Sequence, residues 1–179
     1  KAYARLAIQS ARSICSEFGY GIGVIGSHYT NSETSGSTLD INITGTGSAD
    51  EPAAVLSTLS RYLEARFYVT PEMSADKPCL LLNDKNGFKK TIVLTADNRL
   101  DSRTSLLFKG YMDTNDKCRQ LSKIIKDWAR NSGFLGPDML SGEAWTIMVI
   151  YFLQVGLDDQ QLPNAQKDFD SDRVWTSDY

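Results

Sequence analysis

The chain has 179 residues, 41% of them apolar, and a formal net charge of −3. That length gives one ordinary domain or two small ones, and that apolar content supports a real core, which excludes disorder as the default. The slightly acidic balance excludes a whole-surface electrostatic grip on nucleic acid and leaves room for a local basic face.

Three cysteines (Cys15, Cys79, Cys118) stand far apart, and His28 is the only histidine. With no Cys-x-x-Cys pair and no His cluster, neither a zinc site nor a disulfide framework is expected, and a reducing, intracellular compartment is. The longest apolar run, Trp145 to Leu153, is about half the roughly 20 residues that a membrane-crossing helix needs, so no membrane partner is expected. The first residues, Lys-Ala-Tyr-Ala-Arg, are already helical in character, and the sequence opens without Met. The expectation is a processed or partial piece of a longer protein, with any targeting peptide lost from view.

In chain order, residues 1–18 carry Tyr3, Leu6, Ala7, Ile14 and Phe18 at helical spacing, and Gly19 is a natural stop. Gly21 to Gly26 predicts a short strand, and residues 27–37 a loop that includes His28. Leu39-Asp40-Ile41-Asn42-Ile43 alternates with period two, as a half-buried strand does. After a Gly/Ser/Thr loop, Asp50 is the expected N-cap of a helix with Pro52 in its first turn, running to about Arg66.

Cys79–Leu82 and Lys90–Thr95 predict two strands joined by a turn at Asn83–Gly87. From Ser102 the period is helical, in segments of about 102–112, 115–131 and 141–155. Their core candidates are Leu106, Leu107, Tyr111, Leu121, Ile125, Trp128, Ile147, Ile150 and Leu153. Mixed elements followed by helices alone imply an α+β fold, with residues 1–100 as one domain. Residues 101–179 then form a partial helical domain and an acidic tail. Asp168, Asp170 and Asp172 in that tail imitate a calcium loop without its Gly and Glu, so they read as solvated acids.

Two blocks carry a resemblance. The first is Gly26-Ser27, a loop, then Thr38-Leu39-Asp40-Ile41. The second runs from Leu100-Asp-Ser-Arg-Thr-Ser-Leu-Leu-Phe-Lys-Gly-Tyr111 through Ile124-Ile-Lys-Asp-Trp-Ala-Arg130 to Ile147-Met-Val-Ile-Tyr-Phe-Leu-Gln154, with Leu162-Pro-Asn-Ala-Gln166 after it. Over roughly residues 15–166 this resembles the poly(A) polymerase and terminal uridylyltransferase family of the nucleotidyltransferase superfamily. The resemblance is specific in the helical block and loose before it. It implies a nucleotidyltransferase palm followed by the start of a helical domain, which in the family continues further.

In that family a Gly-Ser turn holds the nucleotide's phosphates, Asp-x-Asp puts two carboxylates on one strand face, and a third Asp joins them from a neighbouring strand. Two magnesium ions held there activate the RNA 3′-hydroxyl and steady the leaving pyrophosphate. Here the resemblance puts Thr38 at the first acid, Asp40 at the second and Val93 at the third. A loop longer by two makes the pair Asp40 and Asn42. Either register leaves one carboxylate, and Lys90–Thr95 contains no acid at all.

By the same resemblance Gly26, Ser27, Thr104, Ser105, Lys126, Arg130 and Glu143 hold the nucleotide-binding positions. Thr104 and Ser105 replace an Asn-Thr pair that touches sugar and phosphate. Lys126 and Arg130 keep the i, i+4 cations that reach the triphosphate, with a solvated helix face as the other reading. Glu143 replaces the aromatic that stacks on the base.

The resulting expectation is a catalytically inactive nucleotidyltransferase-like protein with no cofactor. It would be a structural or RNA-binding component of a ribonucleoprotein assembly: an organellar ribosome, a ribosome-assembly intermediate or an RNA-processing complex, with a mitochondrial location. Its partners would be RNA and proteins, not DNA. The alternatives are an active divergent RNA terminal nucleotidyltransferase using Mg2+ and a nucleoside triphosphate, with Asp40 joined by Asp97 or Asp101, and a module that binds nucleotide without turning it over.

Overall fold

The computed structural model describes residues 2–47, 51–73, 77–86, 89–136 and 138–165. Two compact units divide the chain: Lys1–Ile25 with Gly36–Ser102, and Gly26–Ser35 with Arg103–Tyr179.

The first unit is α+β. Its elements are α1 (Ala2–Glu17), β1 (Gly21–Ile25), β2 (Leu39–Thr44), α3 (Pro52–Leu63), β3 (Phe67–Glu72), β4 (Cys79–Asp84) and β5 (Ile92–Ala96), with α4 (Arg99–Thr114) beginning in it. The five strands form one sheet in the order β1-β2-β5-β4-β3. Only β2 and β5 run parallel; the other neighbours are antiparallel.

Period-two alternation sorts the sheet into two faces. Leu39, Ile41 and Ile43 of β2 and Ile92, Leu94 and Ala96 of β5 pack with Ala7, Ala11 and Cys15 of α1 and Val55, Leu56, Leu59 and Leu63 of α3. Each large aliphatic side chain so buried contributes about 1.5–3 kcal/mol. Asp40, Asn42, Val93 and Thr95 therefore fall together on the other face.

Several elements differ from expectation. The buried stripe of α1 is Ala7, Ala11 and Cys15, while Leu6 is exposed. Small side chains let the helix approach the sheet closely, and the larger Leu6 turns outward. β1 ends at Ile25, and Gly26 opens a short helix α2 (Gly26–Tyr29) that includes His28, where a loop was expected. Glu51 holds the N-cap position of α3 in extended backbone, with no side-chain cap bond and Pro52 next; Asp50, the expected cap, lies outside the described residues. β3 was not expected at all. Pro71 within it argues against a central strand, and β3 is indeed an edge strand. β4 continues through Asp84, and Gly87 lies outside the described residues.

The second unit holds α2, the rest of α4, α5 (Asp116–Asn131) and α6 (Gly142–Val155). Its core comprises Phe108, Tyr111, Met112, Cys118, Val149, Ile150, Leu153 and Leu162, with Leu107, Leu121 and Ile125 packed against it. Asn115 caps α5 by accepting from the Lys117 N–H, and Ser141 caps α6 by accepting from the Ala144 N–H. The Tyr111 hydroxyl accepts from Gln154 Nε2 at 2.9 Å and from the Ala165 N–H at 3.0 Å, which fastens the 162–165 turn.

Two expected core residues are not core. Trp128 is 50% exposed and Ile147 54% exposed, and Leu106 is only part-buried. The buried side of α5 is Cys118, Ser122, Lys126 and Ala129, and that of α6 is Thr146, Val149, Ile150 and Leu153. The α5 stripe is turned from the expected one, with Leu121 and Ile125 at its margin, whereas on α6 Ile150 and Leu153 are buried as expected and Thr146 and Val149 join them in place of Ile147. Residues 166–179, with the acidic tail, lie outside the described residues.

Candidate functional site

The carboxylate side lies in the first unit. In the parallel register Asp40 stands opposite Val93, and Asn42 opposite Thr95. Thr38, just before β2, donates its hydroxyl to Asp40 Oδ1 at 2.7 Å. Asp40 is half-buried, and that desolvation pushes its carboxyl above the ordinary carboxylate value; Asp101 adds to the rise, while the Thr38 hydrogen bond and the Lys77 charge oppose it.

Asn42 is committed elsewhere. Its Oδ1 accepts from the Asn98 N–H at 2.9 Å and the Thr95 hydroxyl at 3.3 Å, and its Nδ2 donates to Ser102 Oγ at 3.1 Å. This buried brace ties β2 to the start of α4, so Asn42 has a structural task in place of a ligand's. Asp101 is bound by the Lys77 ammonium and by Asn98 Nδ2, the latter at 2.8 Å. Asp97 has a φ of 48° and pairs with Arg99 at 3.2 Å.

The cation side lies in the second unit. Gly26, at a φ of 66° that favours glycine, donates its N–H to Ser105 Oγ at 2.8 Å. Ser105 is buried and Thr104 half-buried, both on α4. Ser27 is half-buried in α2; its carbonyl accepts from the Ser32 N–H at 2.9 Å and the Thr30 hydroxyl at 3.2 Å.

Lys126 is 5% exposed, so the solvated-face reading is overturned for it. Its ammonium donates to the Ser32 carbonyl at 2.6 Å and to Ser32 Oγ at 3.0 Å. Burial, with the charges of Lys123 and Arg130, pulls its pKa down to about 8, while Glu33 and Asp127 oppose the fall. Arg130 donates to Thr34 Oγ1 at 2.6 Å and pairs with Asp127 at 3.4 Å. A Cβ built on Gly142 would lie 3.6 Å from Lys126 Cδ, so the start of α6 covers the lysine stem. Glu143 is exposed in the first turn of α6.

The chain is 26% identical over 158 residues to Poly(A) RNA polymerase gld-2 of Caenorhabditis elegans, spanning 83% of this chain and 14% of that protein. It is 33% identical over 73 residues to Terminal uridylyltransferase 4 of Trypanosoma brucei brucei, spanning 38% of this chain and 22% of that protein. No protein-family model matches it. A MgATP-bound Cid1 poly(U) polymerase structure superposes with a TM-score of 0.83 at 22% identity, covering 90% of this chain and 52% of that one. A cytoplasmic RNA terminal U-transferase superposes with a TM-score of 0.79 at 20% identity, covering 90% and 51%. The chain has the fold of the RNA terminal nucleotidyltransferases. Its relatives by sequence and its neighbours by structure come from the family that the two sequence blocks resemble, and it spans about half the length of those solved neighbours.

Within this terminal-nucleotidyltransferase fold the residues do not fit the paired magnesium ions that the resemblance implies. Asp40 has a hydrocarbon as its partner on β5, and its polar neighbour Thr38 is neutral. Among the described residues no group of three His, Cys, Asp or Glu is placed to hold a metal ion. The three cysteines are buried and unlinked, and burial lifts Cys15 and Cys118 to about 11. Among the described residues no helix is long and apolar enough to cross a membrane.

Ser32, Thr34 and Asn98 are the residues that sequence reasoning passed over. The Thr30-x-Ser32-x-Thr34 hydroxyls were the one readable signal for the first two.

Proposed function

We propose that this chain is a catalytically inactive member of the terminal nucleotidyltransferase fold, serving as a structural or RNA-binding component of a mitochondrial ribonucleoprotein assembly. The observation that carries the reading is the pairing of Asp40 with Val93 on the parallel strands. A lone carboxylate beside a branched hydrocarbon is no cradle for two divalent ions, and without them neither the attacking hydroxyl nor the leaving pyrophosphate is stabilised. The retained interior supports a role that depends on shape. RNA is the favoured partner because one relative by sequence is a poly(A) RNA polymerase by name and one neighbour by structure an RNA terminal U-transferase.

The test has two arms. Purified protein is offered an RNA primer with each of the four nucleotides and magnesium or manganese, and no extension is expected. The native protein is then captured, and RNA and protein subunits are expected to co-purify in fixed ratio. Extension that Asp40→Ala abolishes would overturn the reading.

One observation favours the second reading, an active divergent RNA nucleotidyltransferase. The Asp101 charge is felt at Asp40, so a second carboxylate lies within electrostatic reach of the first. Loss of extension on Asp101→Asn, with the fold intact, is what that reading requires.

A further inference from the structure

We propose that residues 30–34 are a built-in counter-ligand: Ser32 and Thr34 hold the two cations that a triphosphate would meet, and so close the anion-binding side of the fold. The inference rests on the reading above only in taking Lys126 and Arg130 as those cations.

Three geometric facts carry it. Lys126 and Arg130 stand one helical turn apart on α5, and the two hydroxyl-bearing residues that engage them stand two apart in the chain. Lys126 is met twice, by the carbonyl and the hydroxyl of Ser32, and Arg130 by the hydroxyl of Thr34. The segment is itself braced: Ser32 Oγ lies 2.8 Å from Thr30 Oγ1, and the Ser32 N–H is held by the Ser27 carbonyl. Ser32 and Thr34 are 2% and 6% exposed, so an incoming anion would have to displace buried hydrogen bonds. Glu33, between them, brings a negative charge that favours the charged form of Lys126. Oxygen acceptors and a carboxylate set against two cations are the chemistry of a bound polyphosphate, supplied here by the chain.

The probe is inorganic tripolyphosphate without metal, titrated into the whole chain and followed by thermal melting and calorimetry. Wild type should show no saturable heat and no change in Tm at millimolar tripolyphosphate. Ser32→Ala with Thr34→Val should gain a rise on the order of 3 °C, and adding Arg130→Gln should remove it. A rise in wild type, or none in the double variant, overturns the proposal. If the double variant fails to fold, Thr34→Val alone leaves Lys126 on the Ser32 carbonyl and hydroxyl and still releases Arg130 from the segment, with its Asp127 pairing in place; a smaller saturable rise is then expected, and its absence overturns the proposal. Tripolyphosphate binding by wild type without nucleotide incorporation would sink the closed clamp alone, whereas incorporation would sink the inactive reading.

Discussion

Asp40 and Val93 are direct neighbours across two parallel strands, an acid whose carboxyl is pushed upward beside a side chain that can bind nothing. The acid's hydrogen-bond donor is the Thr38 hydroxyl, just before the strand. The next side chain along that face of β2, Asn42, is spent on bracing α4.

Acids placed at Thr38 and Val93 should not by themselves give robust RNA extension. The two new carboxylates supply metal ligands, but Glu143 still gives no surface for a base, and Lys126 and Arg130 remain bound to Ser32 and Thr34. A catalyst needs positioned substrate as well as metal. Primer extension by Thr38→Asp/Val93→Asp with manganese is the measurement, and extension from those two changes alone would show an intact nucleotide pocket.

Asp40→Asn should stabilise the protein at neutral pH. Desolvation raises the folded-state pKa of Asp40 above its ordinary value, so the folded state binds the proton more tightly than the unfolded one. Stability contributed by this group is then full below the ordinary carboxylate pKa and is lost as pH rises through the folded value. Asparagine removes that loss and can still accept from Thr38. Urea melts of both proteins should coincide at the acid end and separate in favour of the variant at pH 7. A variant less stable by more than about 1 kcal/mol at pH 7 would mean that the charged form has a partner of its own.

The palm was legible where its pattern was clean. Leu39, Ile41 and Ile43 alternate, and they lie on the buried face of β2. The absence of acid between Lys90 and Thr95 was equally plain, but which of those residues faces Asp40 is a matter of strand register, set by packing across the sheet. The helical faces were harder. From Ile147 to Leu153 every residue of α6 is apolar, so periodicity has no contrast from which to choose a side, and Ile147 was placed inward when Thr146 is the buried one. Ser32 and Thr34, which accept from Lys126 and Arg130, lie 94 and 96 residues earlier in the chain, beyond the reach of any local spacing rule.

Tyr111 should matter more to stability than Trp128. The ring of Tyr111 is 1% exposed, and its hydroxyl serves two donors, Gln154 Nε2 and the Ala165 N–H. Tyr111→Phe removes the acceptor of the Ala165 N–H and one of the two acceptors of Gln154 Nε2, the other being the Pro163 carbonyl, and should cost about 1–3 kcal/mol. Trp128 touches Phe134 and Trp145, yet half its surface already meets water. Trp128→Ala should therefore cost about 1–2 kcal/mol, below the 3–5 typical of a fully buried tryptophan. Chemical denaturation of the two variants decides the order. A larger loss at Trp128 would mean that its exposed half is covered in the protein as purified.

Lys126 should make the protein more stable in mild alkali. Its folded-state pKa is pulled down to about 8 from an ordinary 10.5, chiefly by burial. Below about 8 both states carry the proton, and the folded state bears the full cost of a buried ammonium. Between 8 and 10.5 the unfolded chain still binds a proton that the folded chain has released, so stability rises with pH across that window. The rise is on the order of 3 kcal/mol if the whole shift is realised. Lys126→Met removes the titration and also leaves the Ser32 carbonyl without its donor. The stability difference between wild type and Lys126→Met should thus grow in favour of wild type as pH is raised from 7 to 10, whatever its sign at the start. Urea melts at intervals of half a pH unit would measure it. A difference that stays flat across the window would show that Lys126 titrates as an ordinary surface lysine, and that the Ser32 contact does not hold it in the interior.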